Sequence, residues 1–135
     1  MIKTLTISTH GQGLYEFTRV LAPLIKQSHR SEGLCSLLVQ HTSASLLIQE
    51  NADPSARDDL EQWLNRLVPE QDSAYTHTHE GPDDMPAHIK AALTATTLSI
   101  PFQHNRLLLG TWQGLYLWEH RHQPASRRIV VHLST

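Results

Sequence analysis

TLSIPFQHNRLLLGTWQGLYLWEHRHQPASRRIVVHL, the stretch from Thr97 to Leu133, decides the fold class. Its apolar and β-branched residues fall into four short runs, Thr97 to Phe102, Arg106 to Trp112, Leu115 to Arg121 and Arg127 to Leu133, which predicts four late strands. Working back toward the N-terminus, Ile2 to Ser8 alternates, with Leu5 and Ile7 on one face and Thr4 and Thr6 on the other, so a strand is expected there too. Gly33 opens a Leu- and Val-rich run through Gln40 that is too short for a helix buried on all sides and reads as an inner strand. Ser45 to Glu50 follows as another strand after the polar break His41-Thr42-Ser43. Helical spacing occurs in three places. Leu14, Phe17, Leu21, Leu24 and Ile25 recur at three and four, with Pro23 set to bend that helix or mark its beginning. Asp53-Pro54 starts a second helix, since Asp accepts bonds from orphan amides and proline fits the first helical position. Ala56, Leu60, Trp63 and Leu67 form its apolar stripe and Pro69 ends it. Val68 to Asp84 lacks either period and holds Gly81 and Pro82, a loop of the length that often carries function. Met85 to Ala95 is expected to form a short helix carrying His88. Strands mixed with two or three helices predict a single α+β domain over residues 1–135 with a mixed or antiparallel sheet.

The composition narrows the function. A chain of 135 residues buries roughly two-thirds of its unfolded surface and needs no metal or disulfide staple to form a core. Eleven Lys and Arg against thirteen Asp and Glu leave a net charge of −2, without the basic excess that phosphate-backbone binding requires, so nucleic acid is not an expected partner. No aliphatic run approaches the roughly 20 residues of a membrane span, and the N-terminus does not read as a signal peptide. With a single cysteine, Cys35, that points to a soluble cytoplasmic protein. Cys35 sits in an apolar run that suits a structural thiol better than a nucleophile. Ten histidines are well above average composition, and imidazole is both a common metal ligand and the side chain that titrates near neutrality.

Three polar clusters lie at element boundaries: His41-Thr42-Ser43 continuing to Glu50-Asn51-Ala52-Asp53, Tyr75-Thr76-His77 through Asp83-Asp84-Met85-Pro86-Ala87-His88, and Gly110-Thr111-Trp112-Gln113 to Glu119-His120-Arg121. Side chains at strand ends and helix starts can converge on one pocket held by rigid elements. Imidazoles with Asp and Glu make a mixed N and O set suited to zinc or another divalent ion, yet no His-Glu-x-x-His or paired Cys-x-x-Cys is present. With Arg and Lys, the same inventory suits a phosphorylated ligand. A plainer reading stands beside this one: Asn51 and Asp53 cap a helix, Asp83 and Asp84 do the same before Met85, and Glu119 pairs with Arg121 or Arg127.

His41-Thr-Ser-Ala-Ser-Leu to Glu50-Asn-x-Asp-Pro54, Tyr75-x-His77 with Asp83-Asp-Met-Pro-Ala-His-Ile-Lys90, and Arg106 with Leu109-Gly-Thr-Trp-Gln-Gly114 and Glu119-His-Arg121 resemble, in order and over nearly the whole chain, the YjbQ-like family of secondary thiamine-phosphate synthases. The resemblance implies an α+β domain with a β-sandwich core, assembly as a homotrimer, and a polar pocket near subunit contacts. It also implies an activity that joins the pyrimidine diphosphate and thiazole phosphate precursors of thiamine with release of pyrophosphate. Matching positions carry the implied roles: His41, Asp53, Glu119 and His120 catalytic; Asn51, Asp84, Arg106, Gln113 and Arg121 holding ligand; His41, His77 and His88 holding a divalent metal, Mg or Zn. Arg106 and Arg121 would steady the diphosphate. One departure is Asn105, where the family usually has glycine in a tight turn. The partner expected is a small phosphorylated or diphosphate substrate. Two alternatives use the same residues: a metal-dependent enzyme acting on another phosphorylated metabolite, and a non-catalytic trimer holding a metal or small anion. His10, His29, His79, His104, His122 and His132 fall outside the matching motifs and read as surface residues.

Overall fold

Alternation in β1 (Ile2–Thr9) turns Leu5, Ile7 and Thr9 inward, and the strand pairs antiparallel with β8 (Ala125–Ser134) along its whole length, from Ile2 opposite His132 to Thr9 opposite Ala125. In this computed structural model, which covers residues 1–135, β8 pairs in turn with β3 (Glu32–Val39), β3 with β5 (Thr97–Gln103), and β5 with the two-residue β6 (Arg106–Leu107). A second sheet sets β7 (Gln113–Glu119) between β2 (Gly13–Glu16) and β4 (Ala44–Glu50). Every pairing is antiparallel.

The core lies between the two sheets, because the alternating residues of each point at the other. Cys35, Leu37 and Val39 of β3 and Ile129, Val131 and Leu133 of β8 meet Leu115 and Leu117 of β7, Ala44 and Leu46 of β4, and Leu21 and Ile25 of α1 (Leu21–Gln27). The opposite face of β7 is also covered, since Tyr116 and Trp118 pack with Leu14 and with Leu64 and Val68 of α2 (Pro54–Leu67) and the residue after it. β7 is therefore buried on both faces from Gly114 to Glu119. A third helix, α3 (Asp84–Leu93), packs on β4. Burial of Cys35 raises its thiol pKa to about 11, which removes it as a nucleophile at neutral pH. No helix is long and apolar enough to cross a membrane.

The domain is a single α+β unit, as the periodicity and the resemblance imply, with four local differences. Leu14 belongs to strand β2, and only after a 3₁₀ turn at Thr18–Val20 does α1 begin, with Pro23 in its first turn. In α2 the inward face runs through Leu60, Leu64 and Val68, whereas Trp63 and Leu67 are about half exposed. The expected strand from Arg106 to Trp112 stops at Leu107. Its continuation is a turn in which the Gln113 side-chain oxygen accepts the Gly110 amide at 2.7 Å. The tight turn before Arg106 survives the loss of glycine: His104 and Asn105 both take positive φ, 53° and 65°, as a two-residue type I′ hairpin requires.

Candidate functional site

Asp84 and His88 stand one turn apart on α3, a spacing that puts both side chains on one face. The preceding loop turns into the helix through Gly81, whose φ of 106° is open to glycine and strained for other residues. The same loop lays His77 against this face. His77 Nε2 is 2.7 Å and His88 Nε2 3.2 Å from the same atom, Asp84 Oδ2. The three ligand atoms lie within 4.8 Å of one another, and the two rings are tilted with centroids 5.4 Å apart. Asp84 is buried, whereas His88 is one-third and His77 about half exposed, so the cluster opens to solvent on the loop side.

The hydrogen bonding of His88 sets its tautomer. Its Nδ1 lies 3.0 Å from the carbonyl oxygen of Thr42, which can only accept, so Nδ1 carries the proton. In the neutral ring Nε2 then presents a lone pair toward a carboxylate oxygen, and two acceptors face each other across 3.2 Å. A proton on Nε2, giving an imidazolium–carboxylate pair, or a metal cation between them resolves this. An imidazole with Nδ1–H on a backbone carbonyl and Nε2 free is the usual arrangement of a metal-binding histidine. The spacing also suits a small ion: ligands at 2.0–2.1 Å in tetrahedral array lie about 3.3 Å apart. His88 and Asp84 are already at that separation, and His77 is about half an ångström too close.

Arg121 holds the carboxylate from behind. Its Nη1 donates to Asp84 Oδ1 at 2.6 Å, Nε to Asp83 Oδ2 at 3.1 Å, and Nη2 to the Glu80 carbonyl at 2.8 Å. The His122 amide also donates to Asp83. Burial raises the Asp84 pKa, but the His77 hydrogen bond and the neighbouring His88 and Arg121 outweigh it, and the carboxyl stays below its ordinary range. Asp83 behaves alike: burial opposes ionisation, and the His122 amide with Arg121 more than compensates. Neither aspartate caps α3 through its side chain; both reach across to the segment that follows β7.

The other expected site residues lie elsewhere. His41 is not beside His77 and His88. Its Nε2 accepts the Arg128 backbone amide at 2.8 Å and its Nδ1 faces Arg127, so it is not the third metal ligand. Glu119 is fully buried at the end of β7, where Arg127 Nε and Thr9 Oγ1 donate to it at 2.7 Å and Arg127 Nη2 and the Arg121 amide complete its shell. It anchors Arg127. His120 is 1 % exposed and shares a 2.9 Å hydrogen bond with Ser45 Oγ. Asp53 is the N-cap of α2, accepting from the Ser55 amide and hydroxyl. Asn51 Nδ2 donates to Glu16, and Gln113 closes its own turn. Arg106 is exposed and borders a groove with Arg19 and Asn105, away from the histidines. The six histidines read as surface residues are all exposed, and His122 pairs with Glu70 at 2.5 Å. Arg127 is the residue that the motifs did not single out. Its signal is the alternation Arg127, Ile129, Val131, Leu133, which turns a charged residue inward at the open end of the core.

His120 gives the site region a pH-dependent stability. Burial, with Lys90 and Arg127 nearby, pushes its pKa down to about 3. Between the unfolded imidazole value, about 6.5, and 3, the unfolded chain binds a proton that the folded chain refuses. Stability is therefore complete above about pH 6.5 and falls as pH drops, by up to about 1.4 kcal/mol per pH unit from this group. His41, held low by burial and by Arg127 and Arg128, acts in the same direction. Urea unfolding of the unmodified chain and of His120→Gln between about pH 7 and 4.5, above the carboxylate range, should show a slope smaller by up to one proton in the variant. Identical slopes would exclude a buried neutral His120.

The family model described as UPF0047 protein YjbQ-like matches residues 3–135. The UPF0047 protein sll1880 of Synechocystis is 50% identical over 130 residues, covering 96% of this chain and 88% of that protein. UPF0047 protein YjbQ of Escherichia coli O157:H7 is 45% identical, covering 97% and 95%. Among solved structures, the conserved hypothetical protein TT1486 from Thermus thermophilus superimposes with a TM-score of 0.88 at 33% identity, over 98% of this chain and 99% of that one. A YbjQ-like protein of unknown function from Sulfolobus solfataricus, at 19% identity and TM-score 0.85, shares the fold. The names of these relatives carry a family designation and, for the Sulfolobus protein, an unknown function; nothing in them supports thiamine-phosphate synthase activity, and that expectation is withdrawn. The geometry agrees with the correction. Of the two arginines assigned to the leaving pyrophosphate, Arg121 is spent on Asp83, Asp84 and the Glu80 carbonyl, and Arg106 lies on another part of the surface. By model, sequence and fold, the chain belongs to the YjbQ-like UPF0047 family.

Proposed function

We propose that the chain is a metal-binding protein whose His77, Asp84 and His88 hold one divalent ion of the zinc class. The observation that carries this is the His88 ring, whose Nδ1–H is spent on the Thr42 carbonyl so that its Nε2 lone pair faces a carboxylate oxygen. Two imidazoles and one carboxylate leave a position of a tetrahedral ion open, the pattern of reactive rather than purely structural sites. A divalent ion there supplies Lewis-acid polarisation of an oxygen on a bound small molecule. The protein's own contribution is positional. Thr42 fixes the His88 ring, Arg121 fixes the Asp84 carboxylate and keeps it ionised, and the loop around Gly81 brings His77 over the helix. The small phosphorylated partner implied by the resemblance is compatible with such an ion, which binds phosphoryl oxygens readily.

Imidazole ligates only when neutral, so protons compete with the ion. Asp84, already ionised, adds little to that competition. Calorimetric titration with zinc from about pH 8 to 5.5 should show affinity falling on acidification, with more than one proton taken up per ion released. A flat profile would exclude histidine ligation, and no zinc binding at pH 8 would remove the proposal.

A further inference from the structure

A second pair of groups points at one place with nothing to receive it. The backbone amide of Arg128 donates to His41 Nε2 at 2.8 Å. An amide is a donor in every protonation state, so Nε2 must keep its lone pair, and the only remaining proton of the ring is on Nδ1. That N–H faces Nη1 of Arg127 at 3.3 Å, and a guanidinium has no acceptor. Two donors thus converge without a partner.

Arg127 does not turn away from this encounter because the rest of its guanidinium is fixed. Nε and Nη2 grip the buried Glu119, and Nη2 also donates to Ser43 Oγ at 2.9 Å and to the Ser43 carbonyl at 3.3 Å. Its side chain is only 7 % exposed. Both Arg127 and the His41 that its Nη1 faces line an open groove of about 510 Å³, to which Thr42 and Ser43 also contribute beside the apolar Leu38 and Val39. A positively charged donor and an imidazole N–H, both rigidly held at the floor of a groove, make an acceptor site for an anion: charge-assisted bonds from a fixed guanidinium are the strong ones.

From this convergence we infer that the groove over His41 and Arg127 is an oxyanion subsite, taking a phosphate or carboxylate group whose oxygen accepts from His41 Nδ1–H and Arg127 Nη1–H together. The segment 41–43 joins it to the histidine cluster, since the Thr42 carbonyl accepts from His88 while the next residue, Ser43, accepts from Arg127. The inference rests on the donors of this groove alone and stands whether or not an ion binds at His77, Asp84 and His88.

The test uses the full chain, labelled with ¹⁵N-histidine and kept in EDTA so that no anion is captured by a bound metal. Inorganic phosphate and acetate are titrated separately at constant ionic strength, with chloride as control, and the His41 Nδ1–H resonance is followed. Its assignment comes from its loss in His41→Phe. Saturable movement of that resonance with phosphate, acetate or both is expected and supports the subsite; phosphate alone reads as a tetrahedral oxyanion, and both as any oxyanion. Calorimetry should show the anion affinity lowered by about tenfold or more in His41→Phe, the loss of one charge-assisted contact. If that variant fails to fold, the ring is assigned instead through the Arg128 amide that donates to its Nε2, and the resonance of the unmodified protein decides alone. No movement with either anion, movement equal to that with chloride, or undiminished affinity in a folded His41→Phe would overturn the inference and leave a water molecule as the shared acceptor.

Discussion

His88→Ala should lose divalent-ion affinity by about a hundredfold or more while its urea unfolding stays within about 1 kcal/mol of the unmodified chain. The magnitude follows from comparison with outer contacts: removing a group that merely orients a metal ligand costs 10- to 100-fold, so removing a ligand itself belongs at or above the top of that range. The small stability change follows from position. His88 is one-third exposed, and its bonds run to a backbone carbonyl and to Asp84, which keeps Arg121 as a partner. Zinc calorimetry and urea unfolding on the same preparation separate the readings. A variant that binds zinc normally and unfolds far more easily would make His88 a structural residue and empty the proposed centre of its main support.

The sequence was informative where a pattern reports local geometry. Period-two alternation placed β1, and short apolar or β-branched runs between polar breaks placed β3, β4, β5, β7 and β8, to within about two residues; Asp53-Pro54 marked the start of α2 because capping is a contact between near neighbours. The pairing of Asp84 with His88 belongs to the same class, as four residues make one helical turn. Patterns failed where a long-range contact overrides them. Leu14 fits the helical spacing of Phe17 and Leu21, yet it pairs opposite Trp118 in β2. The polar motifs look like one site because each occurs at an element end, but the sandwich has several ends. Asn51 and Arg106 came to border grooves that share Thr18 and Arg19, and His77, Asp84 and His88 came together apart from them. No spacing rule distinguishes these destinations. For Glu119, only the pairing of β1 with β8, which sets Thr9 opposite Ala125 and Arg127 two residues farther along, determines which alternative partner it meets.

That pairing sets up the largest expected effect on stability. Glu119 is fully buried and the Arg127 side chain nearly so, and the two meet through two donor nitrogens and both carboxylate oxygens. A buried ion pair contributes little net stability over an apolar pair of similar volume, yet removing one member strands the other charge where water cannot reach it. Glu119→Ala leaves Arg127 with Ser43 and the facing His41 donor, strands the Arg121 amide, and leaves the Thr9 hydroxyl only its longer bond to the Ala125 carbonyl. The expected loss is about 3–5 kcal/mol, a large part of the 5–15 kcal/mol that holds an ordinary domain together. Replacing both members, Glu119→Leu with Arg127→Leu, should recover much of that loss, because no unpaired charge remains. Urea unfolding of the two variants beside the unmodified chain reads this directly as a strongly non-additive pair. A cost below about 1 kcal/mol for Glu119→Ala, the size of an exposed ion pair, would mean that water reaches Arg127 and that the pair is not a buried one.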